Sequence, residues 1–283
     1  MRNSCYTYLT LKGDFVPANI TETLKIIPNT AWGKGDKRPN GSVAGSSYWC
    51  TDYVSDITPS FYEQPEKLVD SFVRHEERLA TLIKENNINA NIEIVPRIYS
   101  GQPMRLLLTS KVMDFCKRTG VGINIDYYTM KNSDVKIGED NAHEDASEVT
   151  PKSNSCSTFF SVYGAFEPDY LTDILCITPH RVWAKGKPGA SGKKLEFSKW
   201  TSCRCDTYDI VTSSQLKKTI SALNNKEECL KHIRESFDAE YLLEVRAVVE
   251  SNNCKPILSP DDRVIDFCST NHVNMNIFID VNI

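Results

Sequence analysis

Residues 31–37 read AWGKGDK and residues 182–188 read VWAKGKP, so one Trp-x-Lys-Gly signature occurs twice, with Trp32 and Trp183 spaced 151 residues apart. Working outward at that spacing, Cys5 meets Cys156, Gly13 meets Gly164, Phe15 meets Phe166 and Pro17 meets Pro168. Thr21, Leu24, Ile26 and Pro28 fall on Thr172, Leu175, Ile177 and Pro179, and Trp49 falls on Trp200. With one extra residue the register resumes: KVMDFC (111–116) matches RVIDFC (263–268), and Asn124-Ile125 match Asn276-Ile277. A register held over so many positions marks an internal duplication. The chain divides into a first repeat domain at 1–130, an acidic linker at 131–154 and a second repeat domain at 155–283.

Each copy orders its elements alike. An alternating strand, YTYLTLK or STFFSVY, opens it. A short helix starts at Pro17 or Pro168, where the missing N–H costs nothing in the first turn, and stops before Pro28 or Pro179. After the Trp-x-Lys-Gly turn come a second strand (YWCTDYV, KWTSCRC) and a longer helical stretch. Its apolar stripe is Leu68, Phe72, Leu79 and Leu82 in one copy, and Leu216, Ile220, Leu223, Leu230 and Ile233 in the other. Strand patterns return at NIEIV and LLEVRAVV, followed by the shorter MRLLL and KPIL. A helix carrying Phe115 or Phe267 and a final strand close each copy. The pattern predicts an α+β protein of two tandem, duplicated two-layer α/β sandwiches, each a mostly antiparallel sheet covered by helices. Cutting near Asn141 should leave two folded fragments unless a large apolar interface joins the copies.

Composition narrows the classes. With 40% hydrophobic and 25% charged residues, the chain is an ordinary globular sequence. Net charge is +1 over 1–130, −3 over 131–155 and −2 over 156–283, which argues against a dedicated nucleic-acid binder. No apolar run approaches the roughly 20 residues of a spanning helix, and the N-terminus alternates like a strand, so a cytoplasmic location is expected. The ten cysteines include no Cys-x-x-Cys pair and read as small buried hydrophobes in a reducing compartment. Cys203-Arg-Cys205 has no partner pair at ligand spacing, so neither a metal nor a cofactor is expected.

The strand, the Gly-x-Phe-x-Pro helix start (13–17, 164–168), the Ile-x-Pro exit (26–28, 177–179), the Lys-Gly turn and the following tryptophan resemble the small bacterial domain-of-unknown-function family numbered 4279. The resemblance covers nearly the whole chain in two copies. The second copy departs from the first in having KGKPG for KGDKRPNG, and IDVNI for IDYY at its end. The family brings no established reaction. Proteins of this size and class occur in bacterial toxin–immunity and defence loci, and the resemblance implies such a setting.

Chemical motifs are sparse. GKPGASGKK (186–194) fails as a phosphate loop, because five residues separate Gly186 from Gly192 and Lys194 stands where the magnesium-binding hydroxyl belongs. None of His75, His143, His180, His232 and His272 has a histidine at the equivalent position. The shared polar residues noted are Thr21/Thr172, Lys34/Lys185, Asp114/Asp266 and Asn124/Asn276, with no recurring Ser-His-Asp, Cys-His or paired-carboxylate arrangement. No catalytic residue is assigned. Gly35 and Gly186 are read as positive-φ turn positions, and Trp32, Trp49, Trp183 and Trp200 as core or near-core anchors beside them. Two basic loops, with Lys34, Lys37 and Arg38 in one and Arg181, Lys185, Lys187, Lys193 and Lys194 in the other, are the binding candidates. The reading favours a non-catalytic protein-binding factor of the immunity or antitoxin type with a protein partner. An RNA or phosphate-ligand binder using these loops is the first alternative, and an enzyme with a site in one repeat or between the two is the second.

Overall fold

A computed structural model describes residues 2–56, 60–61, 63–130, 154–189, 192–207, 212–250 and 256–282. The acidic segment predicted as a linker lies outside these residues except at Asn154. The first copy runs β1 (Ser4–Gly13), α1 (Pro17–Leu24), β2 (Thr30–Trp32), β3 (Ser47–Cys50), β4 (Val54–Asp56), β5 (Ser60–Phe61), α2 (Glu63–Phe72) and α3 (Glu76–Glu85). It continues through β6 (Asn89–Tyr99), β7 (Met104–Leu108), α4 (Ser110–Thr119), β8 (Gly122–Ile125) and β9 (Tyr128–Met130). The second copy runs β10 (Ser155–Gly164), α5 (Pro168–Leu175), β11 (Arg181–Trp183), β12 (Ser198–Thr201), β13 (Cys205–Thr207) and α6 (Thr212–Ser221). It ends with α7 (Glu227–Phe237), β14 (Glu240–Glu250), α8 (Asp262–Thr270) and β15 (Asn274–Asn282).

The fold is α+β, with one sheet per copy. The first sheet has the order β2-β3-β1-β6-β8, with β4 on β1 and β9 on β6; the second has β11-β12-β10-β14-β15-β7-β5, with β13 on β10. Both sheets are mixed. The long central strands pair antiparallel (β1 with β6, β10 with β14), while β6/β8 and β14/β15 are parallel across a helical crossover. Strand alternation sends Leu9, Leu11, Ile92 and Ile94, and likewise Phe160, Val162, Leu243 and Val245, into one apolar core that runs through both copies. The opposite face of each sheet carries polar and aromatic side chains.

The repeated frame is visible bond by bond. Trp49 and Trp200 are fully buried, lie opposite Leu11 and Val162, and each donates its indole N–H to a helix threonine, Thr21 or Thr172, at 3.1 Å. Ser47 and Ser198 donate to the carbonyls of Phe15 and Phe166 and accept from the backbone of Lys34 and Lys185. In the turns between, Gly35 and Gly186 have φ of +92° and +79° and donate to the carbonyls of Ala44 and Leu195.

MRLLL is the exception to the predicted self-contained sandwiches. As β7 it leaves its own copy and pairs antiparallel with β15 of the second sheet. Side chains of the second copy add contacts to the first: Ser259 Oγ accepts from Ile125 N–H on β8, and Asn274 Oδ1 accepts from Ser110 N–H just past the end of β7. Between the copies α4 lies against α8, with Lys117 donating to Thr270 and Ser269 donating to Asp114. The matched pair Asp114/Asp266 therefore serves this contact, with Asp266 taking Lys117 at 3.7 Å. The first copy thus supplies β7 and β5 to the second copy's sheet, whereas the first sheet is built from its own strands.

Candidate functional site

The side of the second sheet away from the helices holds a concentration of cations. Counting alternate residues out from the core positions puts Ser155, Ser157, Phe159, Ser161 and Tyr163 of β10 on this face. Glu244, Arg246 and Val248 of β14, Asn276 and Phe278 of β15, and Lys199 and Thr201 of β12 share it, in register. Trp183 and Arg181 of the edge strand β11 stand opposite Lys199 and Thr201. These strands surround a cleft of about 260 Å³ whose lining includes His180, Arg181, Lys199, Arg204 and Arg246, three hydroxyls (Ser155, Ser157, Thr201) and the rings of Phe159 and Trp183. Among the described residues, no carboxylate lines it.

The cations are held by aromatic faces. Arg246 lies 5.2 Å from the Phe159 ring and 5.6 Å from that of Phe278, and Arg105 covers Phe278 at 5.4 Å. Lys199 sits 4.6 Å from the Tyr163 ring and 5.6 Å from that of Trp183, and Arg181 shares Trp183 at 5.9 Å. Such contacts are worth about 0.5–1 kcal/mol each when exposed, and more when dry. Arg105 belongs to β7, so the first copy contributes to this face; its Nε donates to Asn276 Oδ1 at 2.9 Å.

Beneath the cleft lies a buried ion pair, Lys199–Glu244 at 3.1 Å, with side chains only 9% and 3% exposed. Glu244 also accepts from Ser161 at 2.7 Å and from the Tyr163 hydroxyl at 3.3 Å, with Arg246 3.7 Å from its other oxygen. Burial pushes the Tyr163 phenol above its usual range, so it stays a neutral donor to Glu244. Arg204 pairs with Asp206 at 2.6 Å. Four cations, Arg181, Lys199, Arg204 and Arg246, thus face two carboxylates, Glu244 and Asp206, leaving the neighbourhood positive.

The same face of the first sheet is built on the same positions with different chemistry. By spacing and register, Asn29, Thr30, Tyr48, Tyr53 and Val95 occupy the places of His180, Arg181, Lys199, Arg204 and Arg246. Tyr6 and Tyr8 stack on each other and Tyr53 meets both edge-on, while Tyr48 stacks on Trp32 with ring centroids 4.4 Å apart. Glu93 keeps the place of Glu244, accepting from Thr10 at 3.1 Å and Asn124 at 2.7 Å.

Of the basic binding candidates, Arg181 alone lines the cleft, beside Trp183. Lys185, Lys187, Lys193 and Lys194 are exposed on the hairpin beyond β11. In the first copy Lys34 pairs with Asp14 at 2.8 Å, Lys37 is exposed, and Arg38 covers Trp32 at 5.4 Å. The tryptophans divide two and two. Trp49 and Trp200 are core anchors; the expectation for Trp32 and Trp183 is corrected, because both sit on edge strands with their rings on the open face, Trp183 being 43% exposed. Sequence reasoning missed Lys199, Arg204, Arg246 and the matched pair Glu93/Glu244. The signal was there in the 151-residue register, but a search for identities passes over positions where the copies differ in charge.

Among the described residues, no group of three or more His, Cys, Asp or Glu side chains could hold a metal ion, and no helix is long and apolar enough to cross a membrane. The described cysteines are free thiols; burial pushes Cys5 and Cys116 up to about 12.

The duplicated frame, the strands that the first copy gives to the second sheet and the diverged open faces define a tandem-repeat α+β protein. The family described as Domain of unknown function (DUF4279) matches residues 3–130 and again 154–282, and the chain belongs to that family. No curated protein and no solved structure matches it.

Proposed function

We propose that the protein is a non-catalytic binding factor that takes an acidic segment of a partner protein onto the open face of its second sheet. The observation that carries this reading is the cleft lined by Arg181, Lys199, Arg204 and Arg246, with no lining carboxylate among the described residues, beside the exposed ring of Trp183. Arginine and tryptophan concentrate binding energy at protein interfaces, and complementary charge supplies specificity and speed of encounter. A cleft of about 260 Å³ suits one or two carboxylate side chains rather than a folded domain. Among the described residues, no hydrogen bond links the His180 ring to a hydroxyl or carboxylate, as an acid–base relay would need. The family resemblance supports a cytoplasmic immunity or antitoxin-like role in a bacterial defence locus, with the acidic segment belonging to the protein it neutralises.

A second reading rests on Trp183. Its ring, flanked by Arg181 and Lys199, offers a base-stacking platform with phosphate-binding groups beside it. Titration calorimetry with a capped hexaglutamate peptide and with oligouridylate at two salt concentrations separates the readings. The acidic-protein reading expects the peptide to bind the better of the two, and Arg181→Ala with Arg246→Ala to weaken it at least tenfold without unfolding the protein. Tighter oligouridylate binding, lost in Trp183→Ala, would replace it with the nucleic-acid reading.

A further inference from the structure

The open face of the first copy carries an independent site of opposite preference. In the second copy a carboxylate, Glu244, and two aromatic rings, Tyr163 and Trp183, enclose the ammonium group of Lys199. The first copy repeats the carboxylate as Glu93 and the tryptophan as Trp32, but replaces the lysine by Tyr48, Tyr163 by Lys12 and the second cation, Arg246, by Val95. None of the ion pairs among the described residues reaches Glu93. In front of this half-buried carboxylate lies a hollow of about 400 Å³, lined by Tyr8, Tyr48, Thr10, Asn89, Asn91 and, at the rim, the exposed Lys12.

We propose that this hollow binds a lysine side chain presented by a protein partner, its ammonium group taking beside Glu93 the role that Lys199 fills beside Glu244. The chemistry is complementary at the lining residues other than Lys12, which is exposed to solvent. The rings of Tyr8 and Tyr48 offer cation-binding faces, Glu93 offers charge, and Thr10, Asn89 and Asn91 supply polar side chains for the remaining ammonium hydrogens. Burial raises the Glu93 carboxyl above its usual range despite the hydrogen bonds from Asn124 and Thr10 that oppose the shift; an incoming cation relieves that cost. Tyr8 is likewise pushed up, by burial first and Glu93 second, so its ring remains a neutral phenol. The site is separate from the cationic cleft and does not depend on what that cleft binds.

The test titrates the full chain with a capped Gly-Gly-Lys-Gly-Gly peptide and with its Nζ-acetylated form. Binding is followed by NMR at the Thr10 and Glu93 amides and at the indole N–H of Trp32, which stacks on Tyr48. Expected are saturable shifts with the free amine, none with the acetylated peptide, and at least tenfold weaker binding by Glu93→Gln. Tyr48→Lys, which supplies the second copy's own tethered ammonium, should abolish binding while the protein stays folded. Equal shifts from both peptides, no shifts from either, or undiminished binding by Glu93→Gln or Tyr48→Lys would overturn the proposal.

Discussion

At five aligned positions the second copy carries His180, Arg181, Lys199, Arg204 and Arg246 where the first carries Asn29, Thr30, Tyr48, Tyr53 and Val95, yet both keep a glutamate between them. On the helix side the two copies agree down to the indole–threonine hydrogen bond. Duplication left two matching frames whose core positions stay apolar even where the residue changes (Leu9 and Leu11 against Phe160 and Val162), while the open faces differ in charge. That asymmetry locates function better than any shared residue does. Close packing penalises a change in the core whatever its use, whereas a change on an exposed sheet face costs little stability and is free to follow a ligand.

The comparison can be broken first at its shared part. Trp49→Ala and Trp200→Ala should each cost about 3–5 kcal/mol, since both remove a fully buried aromatic. Urea unfolding of the two variants checks this; a large cost in one copy and not in the other would mean the frames are not equivalent. At the diverged part, Lys199→Ala should cost about 3 kcal/mol, because it strands the buried Glu244 carboxylate. Tyr48→Ala at the equivalent position leaves no charge stranded and should cost about 1 kcal/mol, mostly its stacking on Trp32. Adding Glu244→Gln to Lys199→Ala should recover part of the loss.

Glu93 sharpens the comparison through pH. Its carboxyl is raised by burial, so the folded chain holds the proton more tightly than the unfolded one. The stability this contributes is complete below the unfolded value of about 4.3 and is lost as pH rises through the folded value. Glu93→Gln, a permanently neutral side chain, should therefore be more stable than the parent at pH 7 and equal to it at pH 3. Denaturant melts at both values measure the difference. The smallest effects belong to the loops. Lys185→Ala should fall within about 0.5 kcal/mol of the parent, and the exposed pair Lys34–Asp14 should contribute about 1 kcal/mol or less. Trp183→Ala should also stay near 1 kcal/mol, in contrast with Trp200→Ala.

Much of this protein is legible in one dimension. The 151-residue register establishes the duplication, the prolines at 17 and 168 start the helices, and strand alternation assigns each residue to a face. The same register already contains the four charge differences, the Asn29/His180 difference and the matched pair Glu93/Glu244. What it does not contain is their convergence. His180 and Arg246 are 66 residues apart and meet only because β11, β12, β10 and β14 lie side by side.

Local pattern decides which residues form a strand and which face they turn to, because both depend on the backbone's period of two and on the burial of apolar side chains. It determined the repeat, the fold class and the buried pair Trp49 and Trp200. Tertiary structure alone decided that β7 would leave its own copy for the other sheet, because strand partners are chosen by which exposed edge lies within reach, and MRLLL fits either. It also decided that Trp32 and Trp183 would lie on the open face: each sits on an edge strand, and its side of the sheet has no helix to cover it.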